Sequence, residues 1–260
     1  MKYLMLFMAV ATLVAMPANA QLAKIHTEIH ADTTTGNRVI THMAAGGGWN
    51  TLIELINLGS TVATYNLQFR TDAGSTQTFS FKNTGTQTDL GAQSVLTGSI
   101  PVGGFVSLKA QDVSTATITG WASIDQSSTG DIGALVIFGY KTGQQAVVPI
   151  ETSTDQRFIL PFDNSSGNVM GVALANPHPR SVAVNILFRD LNGLTLHSES
   201  IQMAPLQHTS FLLASRFPSL AGHAGTALFS TGINDDAVAA LGILANSVGA
   251  FTTVFSLAAQ

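Results

Sequence analysis

The chain has 260 residues, of which 45% are apolar and only 10% charged, with a formal net charge of −4 and no cysteine. This composition excludes a disordered chain, which combines low hydrophobicity with high net charge. The eleven scattered Lys and Arg argue against nucleic acid or anionic membrane surfaces as partners. Without cysteine there are no disulfides, thiol chemistry, iron–sulfur clusters or Cys-type zinc sites, so the fold must rest on its apolar core.

Residues 1–20 read as a signal peptide. Lys2 supplies the positive start, Leu4 to Val14 the apolar run, and Ala18-Asn19-Ala20 the small-residue cleavage site. The run is too short to span about 30 Å of hydrocarbon, and no later stretch is a membrane span. The expected location is therefore exported: periplasmic, cell-surface or extracellular. Residues 21–36 form an N-terminal extension. If Lys24 to Ala31 is extended, His26, Glu28 and His30 project from one face, while Ile25, Thr27 and Ile29 face the other. Two imidazoles and a carboxylate so placed are a candidate divalent-metal site. The spacing is not that of H-E-x-x-H, and a solvated polar strand face accounts for the same residues more simply.

From residue 37 onward, short apolar and β-branched runs recur between turn residues, with almost no helical periodicity. Gly46-Gly47-Gly48 precedes a strand and reads as a turn rather than a phosphate loop, which would need a helix after it. Ile53-Glu54-Leu55-Ile56-Asn57 then finds a counterpart in Val172-Ala173-Leu174-Ala175-Asn176, at an offset of 119. The same offset sets Tyr65, Leu67 and Phe69 against Val184, Ile186 and Phe188, in each case on one strand face. It also pairs the turns Thr71 to Gly74 and Asp190 to Gly193. Further on the offset shrinks to about 105: Pro101 falls near Pro205, Gly120-Trp121-Ala122 on Gly225-Thr226-Ala227, and Ala134-Leu135 on Ala240-Leu241. The expected fold is all-β, with two tandem sandwich domains related by internal duplication, at 37–150 and 151–260. A single helical turn is expected within Ala214 to Leu220.

Gly46-Gly47-Gly48-Trp49 with Asn57, Leu160-Pro161-Phe162-Asp163-Asn164 with Gly171 to Pro177, and Arg216-Phe217-Pro218 with Leu220-Ala221-Gly222 resemble secreted bacterial proteins that carry tandem immunoglobulin-like modules. The resemblance covers nearly the whole chain after the signal peptide. It implies the immunoglobulin-like β-sandwich fold and export, and it brings no catalytic residues with it.

Candidate chemistry is sparse. No G-x-S-x-G occurs, and none of the seven histidines sits in a nucleophile–base motif; His178 and His208 fall in expected turns. The oxygen-rich loops Asp163 to Asn168 and Asn234 to Asp236 lack the spacing of a calcium loop and read as Asx turns. Trp49 shares parity with Ile53 and Leu55 and is expected to cap the core. Trp121 instead shares parity with Thr117, Thr119, Ser123 and Asp125. It is the candidate ligand contact, or else a junction residue, or a residue turned inward by a bulge at Gly120. The expectation is thus a non-enzymatic structural or interaction protein without cofactor, whose partner is an envelope or extracellular protein or glycan. The alternatives are a carbohydrate- or envelope-ligand-binding module and a periplasmic assembly chaperone.

Overall fold

The computed structural model describes residues 38–125, 128–148, 150–152, 156–232 and 237–259. They belong to one compact unit. The first half contains β1 (Arg38–Ala45), β2 (Trp49–Asn57), β3 (Ala63–Arg70), β4 (Phe79–Asn83), β5 (Thr88–Gln93), β6 (Val95–Ile100), β7 (Phe105–Ala110), β8 (Ile118–Ile124), β9 (Ile132–Tyr140) and β10 (Gln145–Val148). The short β11 (Glu151–Thr152) follows. The second half contains β12 (Arg157–Asp163), β13 (Val169–Ala175), β14 (Val182–Asp190), β15 (Thr195–Met203), β16 (His208–Leu212), β17 (Ala224–Thr231), β18 (Ala239–Ala245), β19 (Phe251–Val254) and β20 (Leu257–Ala258). One helical turn, Leu213–Arg216, and a 3-10 turn, Pro218–Leu220, lie where the sequence called for a single turn.

The protein is all-β, with four antiparallel sheets. Sheet I runs β11-β1-β8-β3-β6 and sheet II β10-β9-β2-β7-β4-β5. Sheet III runs β15-β14-β17-β12-β20 and sheet IV β16-β13-β18-β19. Sheets I and II share one buried cluster, which includes Leu67, Phe69, Ile53 and Phe138. Sheets III and IV share another, which includes Phe188, Phe229, Val172 and Leu174. Alternation decides the facing. In β3, Tyr65, Leu67 and Phe69 are buried while Asn66, Gln68 and Arg70 are less so; in β14, Val184, Ile186 and Phe188 are buried in the same rhythm.

Sheets I and III have the same strand order when β1, β3, β6, β8 and β11 are set against β12, β14, β15, β17 and β20. Sheets II and IV agree likewise, and the β4–β5 hairpin is the extra element of the first half. The registers coincide too: Phe69 pairs with Ala122 and Phe188 with Ala227, while Leu55 pairs with Ala134 and Leu174 with Ala240. A β-carbon at Gly120 would collide with the Arg70 carbonyl oxygen, and one at Gly225 with that of Arg189. Both halves use a buried asparagine to close a loop. Asn57 Nδ2 donates to the carbonyls of Thr61 (2.7 Å) and Ile100 (2.9 Å), and its Oδ1 accepts from Gly59 N. Asn176 Nδ2 donates to Arg180 and Ala204 (both 2.8 Å), and its Oδ1 accepts from His178 N. Each amide thus satisfies three backbone groups that would otherwise be buried without partners. One equivalence differs from the sequence reading. The turns that match are 101–104 and 204–207, each closed by a bond from its fourth N–H to its first carbonyl, so Pro101 corresponds to Ala204 rather than Pro205.

Phe69 and Phe188 are both buried to within 1%. Truncating either to Ala is expected to cost about 3–5 kcal/mol. Urea titration of the two variants checks this, and a loss under about 1 kcal/mol at both would mean that the inward faces are misassigned.

Candidate functional site at the junction of the halves

The outer face of sheet IV does not meet water. Ala173 and Leu241 join the core of the first half, and Ile243 and Phe251 pack against it. Small side chains on β13 and β18 let this face approach closely. Ala175 and Ala239 form a separate buried cluster with Val39 and Trp121, with Leu206 packed alongside. Trp121 is 1% exposed. Its indole N–H donates to the carbonyl of Leu206 at 2.9 Å. Leu206 itself has φ of +59°, a strained conformation for a branched residue. Its N–H is held by the His178 carbonyl and its C=O by the indole.

A β-bulge lies opposite Trp121. Ile40 pairs with Ala122 and Met43 with Gly120, so Thr41 and His42 together face Trp121. In the second half, Leu160, Pro161 and Phe162 pair one-to-one with Ala227, Thr226 and Gly225. The extra residue of the first half re-aims the strand, as bulges do, and places the His42 ring at the junction. There a chain of hydrogen bonds crosses from one half to the other. Asp72 Oδ1 lies 2.8 Å from His208 Nδ1, and His208 Nε2 lies 3.0 Å from His42 Nδ1. Thr119 Oγ1 donates to the Asp72 carboxylate at 3.2–3.3 Å, and His208 N donates to the Asp72 carbonyl.

The carboxylate sets the His208 tautomer. An ionised Asp72 only accepts, so His208 carries a proton on Nδ1. Across the 3.0 Å contact, His208 Nε2 and His42 Nδ1 share one proton between them. The hydrogen bond from His208 holds the Asp72 carboxyl below its ordinary range. His42 is pushed down to about 3, first by burial and then by the charge of His208. It is therefore an uncharged ring at neutral pH. Its edge meets Phe138 at 5.4 Å between ring centres.

His42 lines a cavity of about 380 Å³ between the halves, together with Trp49, Phe138, Val172, Phe211 and Leu212. The wall is mostly apolar, with Thr117, Thr119 and Ser210 as further polar groups. Trp49 is half-buried rather than sealed in the core, and its ring meets Tyr140 and Phe251.

The residues singled out in the sequence fare differently. Trp121 is a junction residue. Stacking on a sugar needs an exposed ring face, which Trp121 does not present, and the bulge beside it lies in β1 rather than at Gly120. His26, Glu28 and His30 lie outside the described residues, as do Asn234 to Asp236. Gly46, Gly47 and Gly48 all have positive φ and form the turn between β1 and β2. Asp163 is used locally: its carboxylate accepts from Ser165 and Asn168. His208 opens β16 and is 1% exposed, so it is a strand residue rather than a turn residue. His42 and Asp72 carried no local signal, since their partners lie 166 and 136 residues away. The one available hint was asymmetry: on the 119 offset, Asp72 falls on Leu191. Among the described residues, no three His, Asp or Glu side chains are grouped to hold a metal ion, and no helix is long and apolar enough to cross a membrane.

No protein-family model matches the chain, and comparison with curated proteins finds none of similar sequence. Of the resemblance read from the sequence, the all-β antiparallel architecture is what the structure carries.

Two outcomes follow for the junction. Trp121→Ala should cost about 3–5 kcal/mol, the scale of a deleted buried tryptophan, and should expand the molecule in solution scattering; an unchanged profile and stability would mean that the indole does not tie the halves. For His42, the unfolded ring titrates near 6.5 and the folded ring at about 3. The unfolded state binds the proton first, so stability is lost as pH falls below about 6.5. Between pH 7.5 and 4.5 this single group should remove about 2–3 kcal/mol. Denaturant titration of His42→Gln should show a pH dependence reduced by that amount.

Proposed function

We propose that this is an exported, non-enzymatic binding protein, built from two duplicated immunoglobulin-like sandwiches, whose ligand site is the cavity at their junction. Duplication is supported by the shared strand order and by the matched loops around Asn57 and Asn176. The immunoglobulin-like reading is supported by the central pairings. β13 lies beside β16 and β14 beside β17, as B lies beside E and C beside F in that fold. Two strands depart from the pattern: β1 and β12 sit beside β8 and β17 instead of pairing with the strand that follows them, and β9 and β18 sit beside β2 and β13 where G would lie beside F. Export is supported by the sequence of residues 1–20 alone.

The observation that carries the binding reading is the cavity with His42 on its wall. Ligand sites are concave, largely apolar, fitted with a few polar groups, and frequent between domains. His42 makes the accessory polar group an uncharged imidazole. It suits a small apolar or aromatic ligand bearing a neutral hydrogen-bonding group, and it disfavours a carboxylate, which would find no cation on that ring. The same chemistry speaks for binding over catalysis, because a ring with a pKa of about 3 is a weak general base at neutral pH.

Calorimetry with phenols, aliphatic alcohols, matched carboxylates and a glycan panel tests this. The neutral donors should bind, and the carboxylates should bind at least tenfold more weakly. Gly171→Leu, which puts a side chain at the cavity wall, should abolish binding. No binding across the panel would sink the site. Ester turnover lost in His42→Gln would replace the binding reading with an enzymatic one.

A further inference from the structure

The module junction has an empty counterpart on each half of the chain. Within the molecule, the turn that follows β3 docks onto the turn that precedes β16. Gly74 approaches the carbonyls of Pro205 and Leu206 so closely that a β-carbon there would fall 2.7–2.9 Å from them. Asp72, in the same turn, meets His208 through both backbone and side chain. By the strand equivalences, the turn after β14 corresponds to the first of these surfaces, and the turn before β7 to the second.

Both counterparts are uncovered and apolar. After β14, Leu191 is 81% exposed and Leu194 67%, and a β-carbon on Gly193 would meet nothing. Before β7, Val102 is 55% exposed and Phe105 64%, and Gly103 is equally open. Gly103 has φ of +66°, matching the +59° of Leu206, so the two turns share one backbone form. Leu191 stands where Asp72 stands, and Phe105 where His208 stands. A polar pair inside the molecule is thus answered by an apolar pair on its two free ends.

The sheet behind Phe105 agrees. On sheet IV the outward face of β13 and β18 is buried by the first half. On sheet II the matching face presents Leu52 and Ile56 of β2 and Leu135 and Ile137 of β9, all half-buried, with Glu54 between the two β2 residues and hydrogen-bonded to Ser107 of β7. A solvated antiparallel face ordinarily alternates to polar residues. Four aliphatic side chains grouped on such a face form an apolar patch of the kind that marks an interaction site.

We propose that copies of this chain associate head to tail, with the Leu191–Leu194 turn of one copy docking on the Val102–Phe105 turn and sheet II of the next, in the geometry of the internal junction. The contact is heterologous: each copy uses one surface to give and another to receive, so association continues into rings or filaments rather than stopping at a two-fold dimer. This inference is independent of the cavity and of any ligand in it.

The absence of natural cysteine makes the test direct. Phe105→Cys and Leu191→Cys are made singly and treated with a short bis-maleimide. Mixed together they should give cross-linked dimers, while each alone should give at least fivefold less. The double variant Phe105→Cys/Leu191→Cys should give a ladder of multimers. Sedimentation of the mature chain should show a mass that rises with concentration. Leu191→Glu or Phe105→Glu should hold the chain monomeric with unchanged circular dichroism, while Val248→Glu, at an exposed apolar site outside both turns, should leave association intact. A monomer at all concentrations up to about 200 µM overturns the proposal. So does association that survives Phe105→Glu and Leu191→Glu together, or cross-linking of one single-cysteine variant as efficient as that of the mixture.

Discussion

The structure turns on the burial of a sheet on both of its faces. Sheet IV packs inward on Phe188 and Phe229 and outward on the first half of the chain. That double burial explains why β13 and β18 read Val-Met-Gly-Val-Ala-Leu-Ala and Ala-Ala-Leu-Gly-Ile-Leu-Ala without polar alternation. It also explains their small residues: Gly171, Ala173, Ala175 and Ala239 on the covered face let the first half approach closely. Once this face is covered, the two halves form one compact unit around two cores, and the position of every junction residue follows.

Trp121, the bulge at Thr41 and His42, and the Asp72–His208 contact are consequences of that packing. The indole fills the step between β1 and sheet IV and holds the strained Leu206 in place by donating its N–H to the Leu206 carbonyl. The bulge adds one residue to β1 where β12 has none, and it sets Thr41 and His42 together opposite Trp121. The second half answers with Leu191, Thr226 and Pro161 at the corresponding positions, so the polar chain belongs to this junction and not to the module in general. A polar network of this kind sits in a low-dielectric seam where each member has a partner, which is the condition under which buried polar groups specify geometry without undue cost.

The fold was legible where one strand face is buried and the other solvated. Period-two alternation exposed β3 and β14, and turn residues at matched offsets exposed their equivalence. The boundary region was less legible. Residue 151 opens the expected second domain, yet Glu151–Thr152 adds a short strand to the edge of sheet I. His208 read as a turn residue because Pro205 and Gln207 precede it; the strand begins one residue after the turn closes. Trp121 read as outward, and it does face out of its own sheet, but the second half covers it.

Composition, alternation and turn chemistry by themselves determined an all-β chain with a cysteine-free apolar core and two halves of matching pattern. These depend on near neighbours along the chain and on the parity of side chains, and both are written locally. The site was decided only by tertiary structure. Asp72, His208 and His42 lie on different strands and loops, 136 and 166 residues apart in their contacts. What joins them is a bulge in β1 and the docking of sheet IV, and neither leaves a periodic trace in the sequence. A hydrogen-bonded chain between halves is a property of how two surfaces meet, so it exists only once they do.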